Sequence, residues 1–127
     1  MLNWGIAHEY TVILQYLLQS YLIPGEEAKT EMQDQAINEM QHRGWLAEEI
    51  IGGGSRPVIE HTKIDRSKKP ADMLRADIKI EKEVADAYDK AAKKIKDPGL
   101  KKLLIRIRDH EIYHTDVFTD LLKEEEK

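Results

Sequence analysis

The sequence predicts an all-α fold, four long helices paired as two antiparallel hairpins with one long crossover between them. Three observations carry this. The composition is rich in Glu, Lys, Leu, Ile and Ala and has only 6% aromatics, which favours helices. Apolar residues recur with helical period in four long windows. The connections between those windows are short, long and short, which fixes the pairing.

The elements follow in order. The first helix runs roughly over residues 2–22 and stops at Pro24-Gly25, because proline cannot continue a helix and glycine permits the turn. The second runs roughly over 26–51 and ends in Gly52-Gly53-Gly54. The next stretch holds Gly54, Ser55, Pro57, Ser67 and Pro70 and reads as a connection. The third helix starts near Pro70, a good first-turn residue, and reaches about Lys96. Asp97-Pro98 then reads as an N-cap and a first-turn proline, opening a fourth helix that continues to about Lys123. Tight turns join the helices within each pair, and the middle segment is long enough to run the length of a bundle. A chain of 127 residues suits one domain over 1–127 with one core.

The composition also excludes chemistry. There is no cysteine, so disulfides, zinc ribbons, rubredoxin-type iron sites and cysteine nucleophiles are all absent. The net charge of -4 argues against nucleic acid as the main partner. Gln15, Gln19 and Ser20 interrupt the apolar stretch of the first helix, so no membrane partner is expected. No secretory signal opens the chain. A soluble cytoplasmic protein is the expectation.

The two hairpins repeat each other. Glu9 precedes Glu39 by thirty residues, and Glu81 precedes Glu111 by thirty. A shift of 72 puts Glu9 on Glu81, Tyr16 on Tyr88, Glu39 on Glu111 and His42 on His114. In Glu39-x-x-His42 and Glu111-x-x-His114, the Glu and His lie one turn apart on one helix face. The motif alone is weak, since composition yields about half a match by chance. Its placement is more specific. The core stripes read Ile6, Glu9, Ile13 and Tyr16 on the first helix, then Met32, Glu39, Leu46 and Ile50 on the second. The third gives Leu74, Ile78, Glu81, Ala85 and Tyr88, and the fourth Leu104, Ile107, Glu111, Phe118 and Leu122.

Each helix therefore buries one Glu near its middle. A single Glu can snorkel from a stripe edge, and a single His can be an ordinary core residue. Six such residues in one layer with repeat symmetry are a different matter. Four buried carboxylates repel one another and lose several kcal/mol of solvation each, of order. Two divalent metals supply the compensating charge. One Glu from each of two helices, plus Glu-x-x-His from each of the others, is the ligand set of di-iron and di-manganese carboxylate proteins. Carboxylate and imidazole donors suit iron first, with manganese as the alternative.

These segments resemble the bacterioferritin branch of the ferritin-like superfamily. His8-Glu9-Tyr10-Thr11-Val12-Ile13-Leu14-Gln15-Tyr16 looks like its first-helix motif, a ligand Glu followed seven residues later by a Tyr. Asn38-Glu39-Met40-Gln41-His42 looks like its second. Asp72-Met73-Leu74-Arg75-Ala76-Asp77-Ile78 through Glu81 looks like its third, and His110-Glu111 through His114 its fourth. The resemblance implies a ferritin-like bundle in which Glu39 and Glu111 bridge two irons. Glu9 and His42 would end one iron's ligand set, and Glu81 and His114 the other's, with Tyr16 beside the site. It implies a ferroxidase, in which Fe(II) is oxidised to Fe(III) by O2 or H2O2 for iron storage or detoxification. Met40 stands where the family has a haem-ligating Met, so a haem b shared between two subunits is implied. The plain alternative is that Met40 packs at a dimer surface. The chain ends thirteen residues after His114, without the family's short fifth helix, which puts a closed shell in doubt.

Two other readings remain. One is a rubrerythrin-like oxidase or peroxidase that stores no iron. The other is a non-catalytic metal-binding assembly module. A homo-oligomer, at least a dimer, is expected from the first helix. Beyond its core stripe it carries Tyr10, Leu14, Leu18 and Tyr21 on a neighbouring arc, and Met40, Ala47 and Ile51 extend that flank on the second helix.

Overall fold

The structure is a computed structural model that describes residues 2–127. The described residues form four α-helices and no strand: α1 (Leu2–Leu22), α2 (Glu26–Gly52), α3 (Pro70–Lys94) and α4 (Pro98–Glu125). The expected boundaries hold to within two residues. They fall into two compact units, one ending at Met73 and the other spanning Leu74–Lys127.

In the first unit, α1 and α2 pack as a hairpin across the short link at 23–25. Gly25 has φ of 95° at the N-cap of α2, and Gly54 has φ of 86° just past its end. Side chains with a Cβ rarely adopt either value, so both helix ends are written by glycine. Ile6, Val12, Ile13, Tyr16, Met32, Ala36, Leu46 and Ile50 supply buried apolar surface.

The crossover at 53–69 has no regular structure of its own and is pinned to α1 by side chains. Thr11 Oγ1 lies 2.6 Å from Thr62 Oγ1 and accepts from the Thr62 amide at 2.6 Å. Gln15 Oε1 accepts from the Asp65 amide at 2.9 Å. Asn3 Oδ1 accepts from the Val58 amide at 3.0 Å, and its Nδ2 donates to the Arg56 carbonyl at 3.3 Å. Gln19 Nε2 donates to the Met73 carbonyl at 3.4 Å. Thr11, Gln15 and Gln19 are therefore buried. The polar strip of α1 serves as the dock that satisfies crossover backbone groups.

In the second unit, Asp97 caps α4 by accepting from the Gly99 amide at 3.0 Å, with Pro98 in the first turn. Val84, Ala85, Tyr88, Leu104, Ile107 and Phe118 are buried. Arg108 Nη1 reaches Asp89 Oδ1 at 2.7 Å and so ties α4 to α3. The core stripe of α3 is as expected at Leu74, Glu81, Ala85 and Tyr88. Ile78 is only half-buried, and Asp77 is fully buried beside it in sequence.

Candidate metal centre

Each unit places one Glu-x-x-His pair and one further Glu in its interior. In the first unit, Glu9 on α1 and Glu39 and His42 on α2 are all 0% exposed. His42 turns Nδ1 toward both carboxylates, 3.7 Å from Glu9 Oε2 and 3.5 Å from Glu39 Oε2. In the second unit, Glu81 on α3 and Glu111 on α4 are 0% exposed and His114 is 5% exposed. His114 Nδ1 lies 3.5 Å from Glu81 Oε2. Within each triad, one donor atom per residue lies within 4.8 Å of the others.

These separations have a chemical meaning. A strong N–H···O contact is about 2.7–3.2 Å long, and the gaps here are wider. Donor atoms bound to one divalent ion at about 2.0–2.2 Å sit roughly 3–3.5 Å apart. The triads thus have the spacing of ligands around an ion more than that of closed hydrogen bonds. The donor set is hard oxygen plus imidazole nitrogen, which fits iron or manganese. The described residues that are buried include no Lys or Arg.

The local surroundings orient the imidazoles. Trp45 is tilted against the His42 ring at 5.7 Å, and Tyr113 meets the His114 ring edge-on at 6.3 Å. Tyr16 and its repeat partner Tyr88 are fully buried. On the surface of the first unit, Met40 is 41% exposed beside Glu39.

All six ligand-type residues expected from the sequence are therefore interior, and each unit gathers its own three. Two features went unread. Asp77 is a fifth buried carboxylate, one helical turn before Glu81; its i,i+4 relation to Glu81 was the available signal. Trp45, one turn after His42, was not singled out, although the same spacing rule reaches it.

A protein-family model for the ferritin-like domain matches residues 1–127. The chain belongs to the ferritin-like family. No curated protein sequence matches this ferritin-like chain. Among solved structures it is similar to the dodecameric thioferritin of Bacteroides fragilis, described as a bacterioferritin-related protein. The TM-score is 0.86 at 17% identity, over 97% of this chain and 82% of that one. The fold is accordingly the ferritin-like four-helix bundle that the two hairpins and their long crossover predicted. No helix among the described residues is long and apolar enough to cross a membrane.

Proposed function

We propose that this ferritin-like chain is a ferroxidase, in which the two triads act within one domain as a single di-iron centre. The observation that carries the reading is the pair of repeat-related Glu-x-x-His triads, interior in both hairpins and chemically alike. Family membership and the likeness to a bacterioferritin-related protein support it.

In this reading Glu39 and Glu111 would be ligands shared by the two metals, with Glu9 and His42 holding one and Glu81 and His114 the other. Iron is the metal proposed, with manganese as the alternative. Bound iron supplies the electrons that O2 or H2O2 accepts. The chain's own residues would hold substrate Fe(II) through Nδ1 and carboxylate oxygens and favour Fe(III), the harder ion, with anionic oxygen. The burial of all six side chains limits water at the triads. Tyr16 stands two turns after Glu9 on the same buried face, as a neighbour of the first triad. A haem b at Met40 belongs to this proposal through the exposure of its side chain beside the candidate dimer flank. We place the protein in the cytoplasm as a homo-oligomer that stores or detoxifies iron.

The test is aerobic oxidation of Fe(II) by purified protein, with iron per chain and particle mass measured together. Fast oxidation with many irons per chain in a large particle supports storage. Two irons per chain with peroxide turnover and no further loading replaces it with the rubrerythrin-like oxidase. No Fe(II) binding at all leaves an assembly module and overturns the ferroxidase. An absorption band of low-spin haem, lost in Met40→Leu, would establish the haem.

A further inference from the structure

The crossover is charged unlike the rest of the molecule. Residues 53–69 hold five cations (Arg56, Lys63, Arg66, Lys68 and Lys69) against two acids, Glu60 and Asp65, a net of +3. The whole chain is at -4, so the remainder is at -7. All five cationic side chains are exposed, and none forms an ion pair among the described residues. On α3 and α4, by contrast, Lys90, Lys93 and Arg108 are each matched to an Asp.

Charge segregation becomes a site only where the groups are gathered and held. Here a cavity of about 530 Å³ is lined by His61, Lys63, Ile64, Asp65, Arg66 and Ser67. The backbone beneath it is fixed, because the amides of Thr62 and Asp65 are bonded to Thr11 and Gln15 of α1. Asp65, the one opposing charge in the wall, has its Oδ2 engaged by the Ser67 amide at 3.1 Å. Lys63 and Arg66 therefore flank a short segment anchored to α1, with the Ser67 hydroxyl beside them, while His61 Nδ1 is engaged with the Thr62 carbonyl at 2.7 Å. A guanidinium and an ammonium together form charge-assisted bonds to tetrahedral oxyanions, and a fixed backbone lowers the ordering cost of binding.

We propose that this crossover pocket binds a phosphate-class oxyanion, held by Lys63 and Arg66 with the Ser67 hydroxyl as a hydrogen-bonding partner. The ligand is either free phosphate or a phosphate monoester, for which Ile64 offers an apolar wall. The site uses none of the six metal-ligand residues and stands whether or not the ferroxidase reading does.

The experiment is calorimetric titration of metal-free, chelator-treated protein with inorganic phosphate, at constant ionic strength set by chloride. Saturable binding is expected, weakened at least about tenfold in K63Q/R66Q. The control K101Q/K102Q removes equal charge from exposed positions on α4 and should change affinity by no more than about twofold. Thermal melts confirm that both variants fold. Adenosine monophosphate in place of phosphate separates the sources: tighter binding selects a monoester, equal binding selects the free ion, and the proposal holds in both cases. Absence of phosphate binding above the chloride control overturns it, as does equal weakening by both double variants. Loss of particle mass in K63Q/R66Q without any phosphate binding also overturns it, and makes the crossover a contact for the acidic surface of another copy.

Discussion

Helices α1 and α3 occupy equivalent places in the 72-residue repeat, yet their surfaces differ almost completely. Over Leu2–Leu22, Glu9 is the one Asp, Glu, Lys or Arg side chain; α3 carries twelve such residues over Pro70–Lys94. The buried layer is shared, since Glu9 aligns with Glu81 and Tyr16 with Tyr88. Outside that layer Tyr10, Leu14, Leu17, Leu18 and Tyr21 align with Lys82, Asp86, Asp89, Lys90 and Lys93. On α3 these positions face water and form ion pairs such as Lys90–Asp86 at 2.9 Å and Lys93–Asp89 at 3.0 Å. On α1 Leu14 is 40% exposed and Tyr21 73%. The repeat therefore preserves the interior and lets the exterior diverge. One helix is finished by solvent, and the other is left with an apolar flank suited to a second subunit.

The largest expected effect breaks the shared part. Glu39→Ala in one triad and His114→Ala in the other should each reduce Fe(II) oxidation to the rate of buffer alone, because a two-metal step needs both positions filled. Stopped-flow absorbance checks this. A variant in one triad that oxidises like the parent would show that the triads do not act together.

The next effect concerns assembly. Giving α1 the residues of α3, as Leu14→Asp with Tyr21→Lys, should dissociate the oligomer. Light scattering after size exclusion should show the parent as a dimer or larger and the variant as a monomer. An unchanged mass would place the subunit contact elsewhere.

A smaller effect tests the crossover dock. Gln15 is buried and accepts from the Asp65 amide, so Gln15→Leu should lower stability by about 1–3 kcal/mol. Its repeat partner is Ala87, half-buried on α3, where Ala87→Gln should change stability by only about 0.5 kcal/mol. Chemical denaturation of both variants measures the contrast. Equal effects would mean that the dock adds nothing.

The smallest effect lies on α3. The Arg108 guanidinium, aided by Lys93, holds the Asp89 carboxyl below its ordinary value of 3.8. A lowered folded-state value means that the ionised form favours the fold. That contribution is present above the ordinary value and is lost as pH falls through the lowered one. Asp89→Asn should therefore reduce Tm slightly at neutral pH, and the difference should shrink as pH falls below about 3.8 and close below the lowered value. A difference that persists unchanged at the acid end would assign the effect to packing.

Most of the fold was legible because its determinants are local. Pro24-Gly25, the Gly52-Gly53-Gly54 run and Asp97-Pro98 mark helix ends through backbone chemistry that needs no tertiary context. The burial of the six ligand-type residues was legible because each sits in an apolar stripe, and the repeat showed the pattern twice. What stayed hidden was tertiary. Thr11, Gln15 and Gln19 are polar interruptions in an apolar helix, and only the path of an irregular segment reveals that they bond its backbone groups and the Met73 carbonyl beyond it. Asp77 was hidden because it adjoins Ile78 in sequence, and at the core boundary the Asp is the more buried of the two. Periodicity alone does not separate two adjacent boundary positions.

The account rests on two triads holding two metals, and an anaerobic Fe(II) titration of chelator-treated protein tests this most directly. Two equivalents of tight Fe(II) per chain are predicted for the parent, and at most one after His114→Ala. A parent that binds none, or an unchanged two equivalents in the variant, would contradict it.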